Sequence, residues 1–402
     1  MKLYEIGTGY TPIPAQMGAA TEIVVEGLTR AFQKIGQPVE IIDIKATNRA
    51  DTDLPIQEVW VPGCFSGTDV KLGLMHKFKR VVYSVFLAAK LRKLLKSAEE
   101  ETVLHFHNQY NLFFFLKLVS PKLRKKARIA YTNHSGIWRL AWSEIENIIA
   151  KRYFQERICM QQADIVFLLN EETKENVMNY VAVPENRIVI IGNGVDTDIY
   201  HPLQKEEKEF AKREFGLRNS KVILQVGSVN ENKGQLRSLQ TLLPLLKAHP
   251  DLIFAYAGGI VDEIYQQRVL QFAKDNRIDE QVRYLGMVEP GRKLNQLYNA
   301  AELTMLPSQY EGFSLVTIES CAAGVPVLAQ RQGPVQIGEG SIFYDTTSLT
   351  DMLEKLLYED TYNLNAIKKA ARNNVITNYS WDQIANVYMS AFSYNRHGKR
   401  DI

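Results

Sequence analysis

Cysteine and long apolar runs are scarce in this chain. Its 402 residues include three cysteines, Cys64, Cys159 and Cys321, which cannot all pair with one another and fit no metal-ligand spacing. Such usage indicates a reducing compartment, and we interpret all three as buried small apolar residues. The opening MKLYEIGTGY lacks the apolar core of a signal peptide, and the longest apolar runs are too short to span a bilayer. The sequence therefore predicts a cytoplasmic protein that at most rests on the inner face of the cell membrane.

Excess charge and metal-binding motifs are also lacking. The formal net charge is only +3, which gives no reason to expect nucleic acid as a partner. No clear Asp-x-Asp metal motif stands at a predicted strand end. Asp51-Thr52-Asp53 precedes Leu54-Pro55 in a turn, and we interpret this motif as structural. We therefore expect neither a metal ion nor any other cofactor.

The chain is long enough for two α/β domains, and 46% of its residues are hydrophobic. Short β-rich runs alternate with helix-periodic segments, a pattern typical of parallel sheets with crossover helices. Strands are predicted at 3–6, 39–44, 58–61, 103–106, 129–132, 165–169 and 188–191, and then at 222–226, 253–257, 282–286, 303–306 and 327–329. A turn-rich hinge near Gly192-Asn193-Gly194 separates a domain of residues 1–197 from one of residues 198–379. The last helix, 380–394, is expected to pack back on the first domain.

Two carboxylates eight positions apart mark the most informative segment, which runs from Pro307 to Glu319. A helix that begins near Gly312 would leave Glu311 in the preceding loop and place Glu319 a little over two turns inside. The first free N–H groups of that helix would bind a phosphate, because unpaired donors and the helix dipole both favour an anion. These groups belong to the residues around Phe313, Ser314 and Leu315. Carboxylates on either side would accept hydrogen bonds from sugar hydroxyls.

This segment resembles the signature of the retaining GT-B glycosyltransferases of family GT4. Upstream motifs agree in order and spacing: Val226-Gly227-Ser228-Val229 with Lys233-Gly234, Gly258-Gly259, Leu285-Gly286, Leu297-Tyr298-Asn299-Ala300-Ala301 and the Gly192 hinge. The likeness is detailed from about Ala163 to Ala329 and extends to the rest of the chain in layout. It implies a GT-B fold, in which two Rossmann-like doubly wound domains face a central cleft.

The resemblance also implies a role for each matching residue. Glu319 would bind the ribose hydroxyls, Glu311 the transferred sugar, and Lys233 the diphosphate. Ser228 and Gly258 would line the donor site with the residues that open the Gly312 helix. Family members usually have arginine where Ser228 stands, so the charge of the leaving diphosphate would depend more heavily on Lys233.

Three glycine or histidine motifs stand in the first half of the chain. The resemblance assigns Gly18 to a glycine loop near the donor phosphates, and His134 to a histidine that contacts the donor sugar or the developing charge. His107 and Asn108 follow the preceding strand and are candidates for the acceptor side. The alternative for each histidine is a ring satisfied by local hydrogen bonds.

A helix-like stretch from Lys71 to Lys96 carries basic residues and no acid. Such a stretch is attracted to anionic lipid, and the alternative is a buried crossover helix with a solvated basic face. The basic residues that we expect to contact an anionic membrane are Lys77, Lys79, Arg80, Arg92 and Lys93.

The sequence thus predicts a glycosyltransferase of the hexosyltransferase class. It would transfer a hexose or N-acetylhexosamine from a nucleoside-diphosphate sugar, with a UDP-sugar favoured by the resemblance, to a hydroxyl of a glycan or lipid-linked acceptor. Cell-envelope polysaccharide or glycolipid synthesis is the expected setting. The alternatives are a catalytically weak sugar-nucleotide-binding protein and a phosphorylase or epimerase of the same fold.

Overall fold

The computed structural model describes residues 1–15, 20–63, 74–309, 311–330, 340–344, 349–359 and 362–393. It divides into two compact units, Met1–Gly194 with Trp381–Ile402, and Val195–Ser380. The first division falls at the end of the turn-rich Gly192-Asn193-Gly194 segment, three residues before the predicted domain boundary at residue 197, and the second lies next to the predicted start of the last helix.

The first unit is built on a seven-stranded parallel sheet. Its strands are β1 (Lys2–Ile6), β2 (Val39–Ile44), β3 (Ile56–Val59), β4 (Thr102–Phe106), β5 (Ala127–Asn133), β6 (Ile165–Leu168) and β7 (Ile188–Ile190). They lie in the order β3-β2-β1-β4-β5-β6-β7. β1, β4 and β5 are buried over almost their whole length, as expected for strands covered by helices on both faces.

Crossover helices cover this sheet. They are α1 (Ala20–Lys34), α2 (Leu74–Ser97), α3 (Gln109–Leu118), α4 (Pro121–Arg124), α5 (Trp142–Arg152), α6 (Phe154–Gln162) and α7 (Glu171–Asn176). The last helix of the chain, Trp381–Ser393, also belongs to this unit. A Cβ at Gly27 or Gly194 would lie 2.2 Å from the Trp381 ring, so glycine at both positions lets that helix dock.

The second unit contains a six-stranded parallel sheet. Its strands are β8 (Lys221–Val226), β9 (Leu252–Ala257), β10 (Val282–Tyr284), β11 (Leu303–Leu306), β12 (Val327–Gln330) and β13 (Ser341–Tyr344), in the order β10-β9-β8-β11-β12-β13. Its helices are α8 (Lys205–Glu214), α9 (Gln235–Ala248), α10 (Glu263–Asp275), α11 (Arg292–Asn299), α12 (Leu315–Ala322), α13 (Leu349–Leu357) and α14 (Leu364–Asn378). The last helix, Trp381–Ser393, is therefore α15.

The predicted class of two doubly wound α/β domains is confirmed, and two local predictions are wrong. β13 was not predicted, and α12 begins at Leu315 instead of near Gly312. Ser314 caps that helix, since its hydroxyl accepts a hydrogen bond from the Thr317 N–H, and a helix starts after its capping residue. Among the described residues, no helix is both long and apolar enough to cross a membrane.

Candidate functional site

Two glycines bring the carboxyl ends of β8 and β9 together in the second unit. Gly227 donates its N–H to the Ala257 carbonyl at 2.9 Å. Gly258 has a φ of +148°, and a Cβ there would lie 2.1 Å from the Gly227 carbonyl oxygen. Only glycine fits this approach, which leaves a side-chain-free rim where a ligand can contact backbone.

The loop after β8 fixes the backbone of Lys233. Its N–H donates to Asn230 Oδ1 at 3.0 Å, and its carbonyl accepts from Gln225 Nε2 at 2.7 Å. Asn230 Nδ2 also donates to Ser228 Oγ at 2.9 Å, so the serine hydroxyl takes part in the same turn. The loop is therefore a fixed support for the lysine side chain.

The Lys233 side chain extends along the Gly227 rim to the loop before α12. Its methylene carbons pass 3.5 Å from the position of a Cβ at Gly227, and its Nζ donates to the Glu311 carboxylate. Both side chains are only partly buried, at 21% and 12% exposed. The pair places one cation beside the rim and next to the beginning of α12.

The amino end of α12 is open. Gly312, Phe313, Leu315 and Val316 are all partly exposed, while the Ser314 side chain is buried beneath them as the helix cap. The N–H groups of the first turn lack partners within the helix, apart from the capped Thr317, and favour an anion. Lys233 and this helix end are therefore the candidate anion-binding surface of the second unit.

Glu319 lies inside α12, and is 7% exposed. Tyr298 donates its hydroxyl to Glu319 Oε2 at 2.9 Å, and the Tyr200 hydroxyl also hydrogen-bonds this carboxylate. Burial raises the pKa of Glu319 to about 7, against the lowering effect of the two tyrosines. A ligand that brings further hydroxyl donors would stabilise the carboxylate form.

Arg237 donates hydrogen bonds to the loop after β8 and to the loop after β11, and it was not predicted as a site residue from the sequence. Its guanidinium donates to the Asn232 carbonyl at 3.0 Å and to the Pro307 carbonyl at 3.1 Å. Gln309 N–H reaches the same Asn232 carbonyl at 3.0 Å. Because every one of these acceptors is a main-chain oxygen, no side-chain motif in the sequence revealed the contact.

In the first unit, the structure brings His107 and His134 together at the carboxyl ends of β4 and β5. His107 Nδ1 lies 3.0 Å from His134 Nε2. His107 is 4% exposed, whereas His134 is partly exposed. Burial lowers the pKa of His107 to about 4 and that of His134 well below 6.5, so both rings are neutral at physiological pH.

The other two site residues predicted in this unit are Asn108 and Gly18. Asn108 caps α3 through a hydrogen bond from the Tyr110 N–H at 2.9 Å, and its amide donates to the Tyr10 hydroxyl at 2.7 Å. These hydrogen bonds do not test whether Asn108 contacts the acceptor substrate, so that role stays a prediction. Gly18 lies outside the described residues.

Among the described residues, one group of three has ligand atoms close enough to hold a metal ion. It consists of Glu5, His105 and His107, whose ligand atoms all lie within 4.8 Å of one another. Each carboxylate oxygen of Glu5 is hydrogen-bonded to one of the two rings, at 2.9 Å to His105 and 2.6 Å to His107. Direct hydrogen bonds thus satisfy the carboxylate without an ion.

Two family models match the chain in succession. The model of Glycosyltransferase Family 4 matches residues 21–199, and that of Glycosyl transferases group 1 matches residues 205–374. A relative, the D-inositol 3-phosphate glycosyltransferase of Corynebacterium aurimucosum, is 30% identical over 269 residues. That alignment covers 61% of this chain and 63% of the relative, so the chain spans less than two thirds of that relative's length.

Solved structures of similar fold cover nearly the whole chain. Sucrose-phosphate synthase from Thermosynechococcus elongatus is 19% identical, with a TM-score of 0.75 over 98% of this chain and 100% of that one. HepE of Anabaena in complex with UDP is 15% identical, with a TM-score of 0.72 over 98% and 100% of the two chains. The two family models together match most of both units, and the chain therefore belongs to the GT-B glycosyltransferases of family 4.

Proposed function

We propose that the protein transfers a hexose or N-acetylhexosamine from a nucleoside-diphosphate sugar to a hydroxyl of a glycan or lipid-linked acceptor, with retention of the anomeric configuration. The observation that carries this proposal is the position of Lys233. Its ammonium lies between the side-chain-free Gly227 rim and Glu311, beside the amino end of α12. Cell-envelope polysaccharide or glycolipid synthesis is the setting that we propose.

The chemistry of sugar transfer explains why such a surface speeds the reaction. When the bond between the sugar and the nucleotide breaks, negative charge grows on the departing diphosphate. A fixed ammonium and oriented N–H groups stabilise that charge more strongly in the transition state than in the bound substrate. Glu311 then exchanges its contact with Lys233 for a contact with the transferred sugar.

The nucleotide would be held by Glu319, which accepts hydrogen bonds from the ribose hydroxyls. A buried carboxylate with two tyrosine donors is already oriented for this task. UDP is the nucleotide that we favour, since a structure of similar fold, HepE, is described in complex with UDP. From the sequence resemblance we also propose that His134 contacts the donor sugar and that Gly18 belongs to a glycine loop near the donor phosphates.

A thermal screen tests the donor class directly. The purified protein is heated with UDP-, GDP- and ADP-sugars at one common concentration, chosen so that a donor of high affinity is present at about a hundred times its dissociation constant. The matching donor should add about 2.7 kcal/mol, and raise the melting temperature of the second unit by roughly 5–10 °C. If no nucleotide sugar stabilises the protein, the donor-site proposal is wrong.

Product analysis with the donor that the screen selects separates transfer from its rivals. A transferase releases nucleoside diphosphate and extends the acceptor, and proton NMR of the product then reports the anomeric configuration. A phosphorylase would need free phosphate, and an epimerase would convert the sugar without transfer. We also propose that no divalent ion takes part, so EDTA should leave donor binding and transfer unchanged.

We further propose that the first unit contacts an anionic membrane, through a surface that differs from the one predicted. Lys79 is buried and directed toward the Tyr10 carbonyl, and the Arg80 guanidinium lies 4.0 Å from the Tyr10 ring. The prediction that Lys79 faces the membrane is therefore wrong. The side chain of Lys77 lies outside the description, while Arg92 and Lys93 are exposed as predicted.

The exposed side of α2 changes character along its length. Phe78 and Val85 are 57% and 39% exposed, and the exposed Arg92 and Lys93 follow about two turns after Val85. Lys126 donates to the Lys96 carbonyl at 3.4 Å, which brings the exposed lysines around α4 to the end of α2. Apolar side chains followed by a basic cluster suit an anionic lipid surface.

Vesicle co-sedimentation tests this membrane surface. The double variant Arg92→Gln/Lys93→Gln should bind vesicles rich in anionic lipid about thirtyfold more weakly, because each basic residue near such a surface contributes around 1 kcal/mol. The control Lys205→Gln/Lys247→Gln removes two exposed lysines of the second unit and should bind normally. Equal binding by both variants, or equal binding to neutral vesicles, would contradict the proposal.

A further inference from the structure

A continuous chain of hydrogen bonds crosses three strands of the first unit. His105 Nε2 lies 2.7 Å from Thr132 Oγ1, and the Tyr388 hydroxyl lies 3.2 Å beyond that oxygen. On the other side of His105, the Glu5 carboxylate joins the two rings of His105 and His107. The chain then ends at His134, 3.0 Å from His107.

Sheet register accounts for this assembly. Glu5 on β1 pairs with His105 on β4, and His105 pairs with Ala130 on β5. Side chains two residues apart on a strand share a face, so His107 continues the line beyond β4 and Thr132 flanks His105 on β5. Glu5 and His105 are completely buried, which leaves the partly exposed His134 as the outer end.

Donors and acceptors along this chain fit one arrangement. Burial alone would raise the pKa of Glu5, but the two histidines outweigh it and lower the pKa to about 2, so the group is a carboxylate and can only accept. The Nε2 of His107 must then carry a proton. Since the neutral ring has a single N–H, His107 Nδ1 accepts, and the proton between the last two rings belongs to His134 Nε2.

This proton assignment also determines the state of the other ring nitrogen of His134, Nδ1. With Nε2 protonated and the ring neutral, Nδ1 carries a lone pair. That atom has no hydrogen-bond partner among the described residues. The outer end of the chain therefore presents a hydrogen-bond acceptor.

We propose that Glu5 and His107 are positioning residues that hold His134 in its Nε2–H tautomer, so that Nδ1 accepts a hydrogen bond from a hydroxyl of the transferred sugar. The inference rests on the proposed sugar transfer for its substrate and on the hydrogen-bond chain for its mechanism. A ring free to change tautomer would present a donor N–H at Nδ1 for part of the time and would then misorient the sugar.

Long-range proton–nitrogen NMR of the full chain, labelled at histidine, reads the tautomer without any substrate. The seven histidines are assigned with single His→Gln variants. His107 and His134 should both be neutral at pH 7.5, each protonated at Nε2. A proton on His134 Nδ1 would overturn the inference, and so would an unprotonated His107 Nε2, which a metal ion on Glu5 and His107 would produce.

Two shape-preserving variants test the effect on transfer. Glu5→Met removes the carboxylate, and His107→Phe removes the acceptor nitrogen. Each should give a mixed His134 tautomer and lower kcat about tenfold to a hundredfold, while UDP affinity stays unchanged. The double variant should be no worse than either single variant, because both act through one route.

Glu156→Met is the matched control. It removes another buried carboxylate of the first unit, one that accepts from Tyr131 and Trp138 and makes no hydrogen bond to Glu5, His105, His107 or His134 among the described residues. The His134 tautomer should be unchanged in this variant. If the control alters the tautomer as strongly as Glu5→Met does, the specific role of Glu5 is wrong.

Failure of this inference and failure of the proposed function are distinguishable. If the wild-type protein transfers no sugar, the proposed function fails, whatever the NMR spectra report. If it transfers sugar but His134 has the other tautomer, only the positioning role of Glu5 and His107 fails. The wild-type spectrum also decides the matter should either variant not fold.

Discussion

Lys233→Met should lower kcat by roughly 10²–10³-fold, the loss typical for removal of one group that stabilises developing negative charge. The methionine keeps the length of the side chain along the Gly227 rim but cannot neutralise a departing diphosphate. Steady-state transfer of the donor identified by the thermal screen measures the loss. Lys247→Met, at an exposed lysine of the same unit, should transfer normally.

Ser228 makes this loss informative, because the resemblance places an arginine at that position in most of the family. The Ser228 hydroxyl accepts a hydrogen bond from Asn230 and carries no charge. Ser228→Arg should therefore tighten diphosphate binding and reduce the loss caused by Lys233→Met in the double variant. If Lys233→Met costs less than threefold in the wild-type background, Lys233 does not carry the leaving-group charge.

Glu319→Gln should weaken nucleotide binding by about tenfold to a hundredfold, as expected when hydrogen bonds to a charged acceptor are lost. The amide keeps the shape of the carboxylate beside Tyr298 but offers the ribose hydroxyls an uncharged acceptor. Titration calorimetry with UDP measures the change. Glu354→Gln, which alters a partly exposed carboxylate of the same unit near His249, should leave the affinity as it is.

This prediction has a pH dependence of defined sign. The pKa of Glu319 is raised to about 7 by burial, so the carboxylate is lost as pH falls through 7. The ratio of wild-type to Glu319→Gln affinity should therefore approach one below pH 6, and any titration of the nucleotide phosphates cancels in that ratio. A ratio that stays constant from pH 6 to 8 would contradict the assignment of Glu319 to the ribose.

The stability of the ligand-free protein should fall as pH rises, whereas the ratio of wild-type to Glu319→Gln nucleotide affinity should increase. Because the folded-state pKa of Glu319 lies above its unfolded value of about 4.5, the protonated group is favoured in the fold. Its stabilising effect is fully present below pH 4.5 and is lost as pH rises through 7. Glu319→Gln should then raise the melting temperature at pH 8, where the wild-type protein carries a buried charge.

The strands of both sheets were predicted from the sequence because buried parallel strands form short apolar runs with clear ends. Ser341–Tyr344 was not predicted, although Ile342 and the two aromatic residues after it favour a strand. The start of α12 was placed too early because Gly312 looked like a boundary. The buried hydroxyl of Ser314 decides the boundary instead.

The candidate site was predicted where its residues are close in sequence and missed where they meet through the fold. Glu311 and Glu319 stand out as a spaced pair, whereas Tyr200 reaches Glu319 from a distant segment. Glu5 is an unremarkable residue of a β-rich run, and only the register of β1 against β4 places it beside His105. Lys79 was misplaced because a charged residue on a predicted helix was expected to face solvent.

The most direct test of the central claim is diffraction from crystals grown with the nucleoside diphosphate that the thermal screen selects. The diphosphate should lie at the amino end of α12, with an oxygen within hydrogen-bond distance of Lys233 Nζ. Glu311 should then have released the lysine. A diphosphate bound elsewhere in the second unit, with Lys233 still paired to Glu311, would contradict the account.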